Sequence, residues 1–169
     1  MRKLLILTIL LLSLSAAAQV RTYGEMETKT FVIGLGNYYF GDAGSLSFPG
    51  GTVSLAGGRV TAPGLNLSGL PAGNTLIGAH DFTDDGVPEL VVGTRGTGLV
   101  KAQVYILRDG KWTLMGIVGA RGDVEEIRVF RQAMTVKDRA SGALYTWTCH
   151  QGKFDFKSSA GGPDPAANL

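Results

Sequence analysis

From Pro88 onward the chain repeats one pattern, a short run of alternating apolar and polar residues followed by a turn. Val100, Ala102, Val104 and Ile106 alternate with Lys101, Gln103, Tyr105 and Leu107. Asp109-Gly110 then gives a hairpin signal, and residues 112–118 run back. Residues 126–131, 133–137, 143–149 and 153–156 repeat the pattern, with breaks at Arg121-Gly122-Asp123, at 138–142 and at Gln151-Gly152. Successive side chains of a strand point to opposite faces, so alternation is what a half-buried strand requires. No segment keeps its apolar residues at helical spacing over three turns. Even residues 125–134, the best helix candidate, alternate better than they wind. The expected class is all-β: an antiparallel meander, either sandwich-like or a single propeller-blade-like sheet.

Upstream the pattern thins. Residues 31–78 are rich in Gly, Ser, Thr and Leu and nearly free of charge, and that much glycine excludes long helices. Local strand signals stand at residues 30–33, 37–40, 52–55 and 59–61, the last two joined by Ala56-Gly57-Gly58. Recurrent aromatic residues favour order over flexibility. Tyr38, Tyr39 and Phe40 cannot all face one side of a strand, which makes them the best candidates for an exposed, sugar-stacking surface. The expected organisation is one β domain over residues 19–157. Its first part, 30–78, is read as Gly-rich strands and loops, and its second, 79–157, as a blade-like meander. Residues 158–169, with Gly161, Gly162, Pro163 and Pro165, are expected to be a disordered tail.

The beginning reads as an export signal. Met1, Arg2 and Lys3 make a basic start, residues 4–14 are apolar, and Ala16-Ala17-Ala18 fits the small-residue cleavage rule. An apolar run of about eleven residues is too short to span roughly 30 Å of hydrocarbon. Cleavage is expected after Ala18, giving a secreted or periplasmic chain without a later membrane span. Losing Arg2 and Lys3 takes two positive charges from a formal net charge of +2, so the mature chain is near neutral. Lysines and arginines are scattered, so nucleic acid is not an expected partner. Cys149 is the only cysteine, which excludes an internal disulfide; its strand context suggests a small buried residue.

One segment carries chemistry: His80-Asp81-Phe82-Thr83-Asp84-Asp85-Gly86-Val87-Pro88-Glu89-Leu90. Hard cations such as Ca²⁺ take several oxygens at short range, and a tight loop supplies them from alternate positions. Asp81, Thr83, Asp85, the Val87 carbonyl and Glu89 occupy positions one, three, five, seven and nine of such a loop. Gly86 follows the fifth position, where the chain must turn, and Leu90, Val91 and Val92 anchor the end in a buried strand. The plainer alternative is a solvated turn whose aspartates cap backbone amides and bind nothing.

The segment resembles the Asp-rich loops of FG-GAP and VCBS repeats, the blades of integrin-type β-propellers. Asp81, Asp85, Gly86, Glu89 and Leu90 match that signature, while Thr83 stands where it has an acid or amide. Trp112 after Asp109-Gly110-Lys111 looks like the inner hairpins of such repeats. The resemblance implies Ca²⁺ at Asp81, Thr83, Asp85, Val87 and Glu89. It covers a single copy, too little for a complete propeller.

Other signals are weaker. Arg121-Gly122-Asp123 spells the integrin-recognised tripeptide but sits where a turn needs Gly-Asp, and Asn66-Leu67-Ser68 is a glycosylation sequon. His80 and His150, the only histidines, lack zinc-ligand spacing. The expected function is an exported, non-enzymatic β module, Ca²⁺-stabilised, that binds a protein or glycan partner. The alternative is a metal-free envelope interaction or inhibitor protein; a small hydrolase comes third.

Overall fold

A computed structural model describes residues 31–33 and 37–169; the expected leader and the segment through residue 30 lie outside the described residues. The fold is all-β. The chain opens with β1 (Phe31–Ile33) and β2 (Asn37–Gly41), then builds three four-stranded meanders in succession. The first contains β3 (Ala43–Phe48), β4 (Gly51–Ala56), β5 (Arg59–Ala62) and β6 (Leu65–Leu67). The second contains β7 (Thr75–His80), β8 (Glu89–Gly96), β9 (Leu99–Arg108) and β10 (Lys111–Arg121). The third contains β11 (Val124–Phe130), β12 (Ala133–Asp138), β13 (Leu144–His150) and β14 (Lys153–Ser158). Asp109-Gly110 and Gln151-Gly152 close their hairpins with positive φ at both central residues (50° and 72°, 50° and 75°). That is the turn whose twist matches the flanking strands.

The two leading strands stitch the sheets together. β1 pairs in parallel with β11, Val32 opposite Arg128, and so joins the third sheet. β2 pairs antiparallel with β7, Tyr39 opposite Ile77, and joins the middle sheet. β3 then starts the first sheet, so three consecutive strands visit all three layers.

Two hydrophobic cores lie between the layers. Tyr38, Leu76, Phe82, Val91 and Val104 of the middle layer meet Ile127, Val129, Met134, Val136 and Trp147 of the third. Ile77, Leu90, Val92 and Tyr105, from the opposite face of the middle sheet, meet Leu46, Val53, Leu55 and Val60 of the first. The middle sheet is therefore covered on both sides, and a buried Leu, Ile or Phe there contributes about 1.5–3 kcal/mol by leaving water. On the outer sheets small polar or charged residues face away. Ser45, Ser54, Thr61 and Asn66 are paired in one cross-strand row on the first sheet.

Three expectations change. The acidic segment belongs to the second of three stacked meanders, and β7 crosses the expected boundary at residues 78/79. The proposed aromatic surface is internal: Tyr38 is fully buried, Tyr39 packs toward the first sheet and Phe40 toward the third. A strand with a layer on each side leaves no face for stacking sugars. Residues 158–169 are docked, with Ala166 buried and Leu169 packed on the core between the middle and third sheets. Cys149 is buried, as its strand context suggested.

Candidate functional site

The acidic loop connects β7 to β8 at one end of the layered sheets. His80 and Glu89, its two boundary residues, pair across the strands, and both are buried. Phe82 turns inward to zero exposure and meets the rings of His80 (4.6 Å) and Phe154 (5.4 Å) edge-on. This apolar plug pins the loop to the core while Asp84, Asp85, Gly86 and Val87 remain exposed. Asp84 and Gly86 both take positive φ (59° and 83°), coiling the chain between them.

Three of the loop's carboxylates, those of Asp81, Asp85 and Glu89, accept backbone amides. Asp81 accepts the amide N–H of Asp85 (3.3 Å) on Oδ1 and that of Gly86 (2.8 Å) on Oδ2. Asp85 Oδ1 accepts the N–H of Val87 at 2.8 Å. Glu89 reaches back beneath the loop, where Oε2 accepts the Phe82 N–H (2.7 Å) and Oε1 the Thr83 hydroxyl (3.1 Å). Burial pushes the Glu89 carboxyl above its ordinary range; the two hydrogen bonds oppose that shift, and the charges of Asp81 and Asp85 add to it. Among the described residues none of the three acids has a cationic side-chain partner. The ion pairs there, Arg128 with Glu126 and Arg139 with Asp123, lie elsewhere.

The donor chemistry, three carboxylates, a hydroxyl and a carbonyl, suits a hard cation. The oxygens as placed serve the loop's own amides first. Among the described residues no three His, Cys, Asp or Glu side chains converge in a metal-binding group. Asp85 Oδ2 accepts no hydrogen bond among the described residues, and it projects from an exposed residue.

Two clefts flank the loop and share Gln132. One, about 470 Å³, is lined by His80, Asp81, Asp84, Arg131 and Gln132. The other, about 430 Å³, lies among Thr83, Asp85, Arg108, Gln132, His150 and Gln151. The hairpin turns of the third sheet thus meet the acidic loop of the middle sheet. His80 Nε2 lies 2.5 Å from the carbonyl oxygen of Arg131, which fixes Nε2 as the protonated nitrogen, and Nδ1 is buried without a partner among the described residues. Burial holds the His80 pKa below its ordinary value, against the opposing effects of that carbonyl and Asp81. Sequence reasoning placed His80 beside the loop; it could not supply Arg131, fifty-one residues away.

Arg121-Gly122-Asp123 joins β10 to β11 as a turn: Gly122 N–H donates to the Gly98 carbonyl (3.0 Å) and Asp123 pairs with Arg139 (3.3 Å). Asn66 of the sequon is exposed on the outer face of the first sheet. No family model, curated protein or solved structure matches this chain.

Proposed function

We propose that this chain is an exported, non-enzymatic β module that acts by binding a protein or glycan, with Ca²⁺ stiffening the acidic loop of its recognition end. One observation carries the reading: Asp81, Asp85 and buried Glu89 crowd one short loop, and none of them forms an ion pair with a cationic side chain among the described residues. A bound cation would remove that repulsion. Asp81, Thr83, Asp85, the Val87 carbonyl and Glu89 would hold it, and the clefts beside the loop offer the adjoining surface. Export rests on the pattern of residues 1–18, and Edman sequencing of the periplasmic protein should begin at Gln19.

A second reading, a metal-free interaction protein, is favoured by a different observation: the acids already cap the loop amides and do not converge. Thermal melting of chelator-stripped protein separates the two. The first reading expects a rise in Tm with millimolar Ca²⁺ that Asp85→Ala abolishes. An unchanged melt rejects the metal and leaves the second.

A further inference from the structure

Arg108 closes strand β9 with its charge unanswered. Across the hairpin it pairs with Lys111, so two like charges stand opposite each other. Among the described residues neither forms an ion pair, and Arg108 makes no hydrogen bond. Its guanidinium lies instead over the Gln151-Gly152 turn of the third sheet. A Cβ on Gly152 would sit 2.9 Å from Nη2 and 3.8 Å from Cζ, so the bare glycine is what leaves the planar group its place.

There Arg108 lines the cleft of about 430 Å³ together with Asp85 of the acidic loop. Opposite charges share this space and do not meet. Asp85 Oδ1 is committed to the Val87 N–H, while Oδ2 accepts no hydrogen bond among the described residues. Thr83, Gln132 and Gln151 add neutral polar groups to the same walls. The Thr83 proton already goes to Glu89, which leaves its oxygen as an acceptor. Gln132 is held in position, its carbonyl accepting the Cys149 N–H at 2.6 Å.

These groups ask two things of a ligand. An unpaired guanidinium offers parallel N–H donors, a fork that a carboxylate fills with both oxygens. An unused carboxylate oxygen, a hydroxyl oxygen and two side-chain amides call for hydroxyl groups. A doubly charged phosphate would be repelled by Asp85 more strongly than a singly charged carboxylate. The volume lies toward the small end of ligand clefts, which suits a sugar ring better than a long chain.

We propose that this cleft binds a sugar acid, with Arg108 holding the carboxylate and Asp85 Oδ2, Thr83, Gln132 and Gln151 holding the ring hydroxyls. The proposal rests on the reading of the chain as a binding module and names the ligand class; it does not need the cation.

An NMR titration of the full chain in chelator, with galacturonate, galactose and galactose 6-phosphate as probes, tests it. Galacturonate should shift the amides of Thr83, Gln132 and Gly152, and the other two should act only at much higher concentration. Arg108→Lys keeps the charge but loses the fork. It should weaken galacturonate by roughly tenfold or more, the effect of one lost charge-assisted hydrogen bond, and leave Tm unchanged because Arg108 is exposed and unpaired. No shift at these amides, equal shifts with galactose, or binding indifferent to Arg108→Lys each overturns the proposal. A glycan array carrying neutral and acidic sugars separates the two failures. Neutral sugars bound alone overturn the acid site and keep the binding-module reading, whereas an array bound nowhere removes the glycan from that reading as well.

Discussion

Two connections in this protein use aspartate in the same way and differ in what lies beneath. In the turn after β12, Asp138 Oδ1 accepts both the amide and the hydroxyl of Ser141, at 2.7 and 2.6 Å. Those bonds hold the Asp138 carboxyl below its usual range. In the loop after β7, Asp81 and Asp85 cap amides just as economically. Yet Glu89, the acid that closes the loop, is 1% exposed and shifted the opposite way by its burial. Capping therefore accounts for both turns equally, and only the buried carboxylate sets the first apart. A charge kept out of water is either compensated or structurally required.

The largest expected effect breaks that distinction directly. Glu89→Ala leaves the Phe82 N–H without its acceptor in a buried place and opens space beneath the loop. An unsatisfied buried donor costs about 1–3 kcal/mol, and the cavity adds to it. Chemical denaturation should show a loss of roughly 2–4 kcal/mol at neutral pH. A loss within experimental error would make Glu89 as dispensable as a surface acid, and the contrast between the two turns would vanish.

Calcium comes next. A cation that binds only the folded loop stabilises by about 2.7 kcal/mol when its concentration is one hundred times Kd, several degrees in Tm for a chain of this size. Asp85→Ala should remove that gain and Asp138→Ala should leave it intact. Equal gains in the wild type and the Asp85 variant would mean that the ion acts elsewhere.

How much of this was legible beforehand depended on whether a strand has one covered face or two. β11 and β13 lie in an outer sheet and alternate, and their residues announce them. β7 lies in the doubly covered sheet, where Thr75, Leu76, Ile77 and Gly78 are all buried, so its sequence has no alternation to read. β3 begins with small residues before Leu46 and Phe48, and β6 is only three residues long (Leu65–Leu67), so neither offers a long alternating run and their order comes from pairing with neighbours. The acidic loop was visible as a spacing of oxygens, but their directions depend on tertiary partners. Glu89 turns to Phe82 and Thr83, and His80 meets a carbonyl from another sheet. Composition misled at residues 158–169, because Gly and Pro describe the turn after β14 and are silent on the partner that Asp164 finds in Trp147.

The pH dependence is smaller and has a definite sign. The folded pKa of Glu89 lies above its ordinary 4.5, so the stability linked to its protonation is full below about that value and lost as pH rises through the folded pKa. His80 works oppositely: its folded pKa is lowered, so its contribution is present above 6.5 and lost on acidification. Comparing metal-free wild type with Glu89→Gln cancels the histidine, which both contain. Between pH 7 and pH 5 the wild type should gain relative to the variant, read from denaturant midpoints. A difference that is flat with pH would place Glu89 in an environment no different from water.

Asp138→Ala should produce the smallest change. Its carboxylate is held below the unfolded value of 3.8, so whatever it contributes is present above that pH and lost as pH falls through the folded pKa. At pH 7 the variant loses the two bonds from Ser141, in a turn where water can take the carboxylate's place. The melt should fall by less than in Glu89→Ala, and calcium should not alter the difference. If Asp138→Ala proves as costly as Glu89→Ala, burial is not what distinguishes these turns, and the case for a cation at the first loses its physical basis.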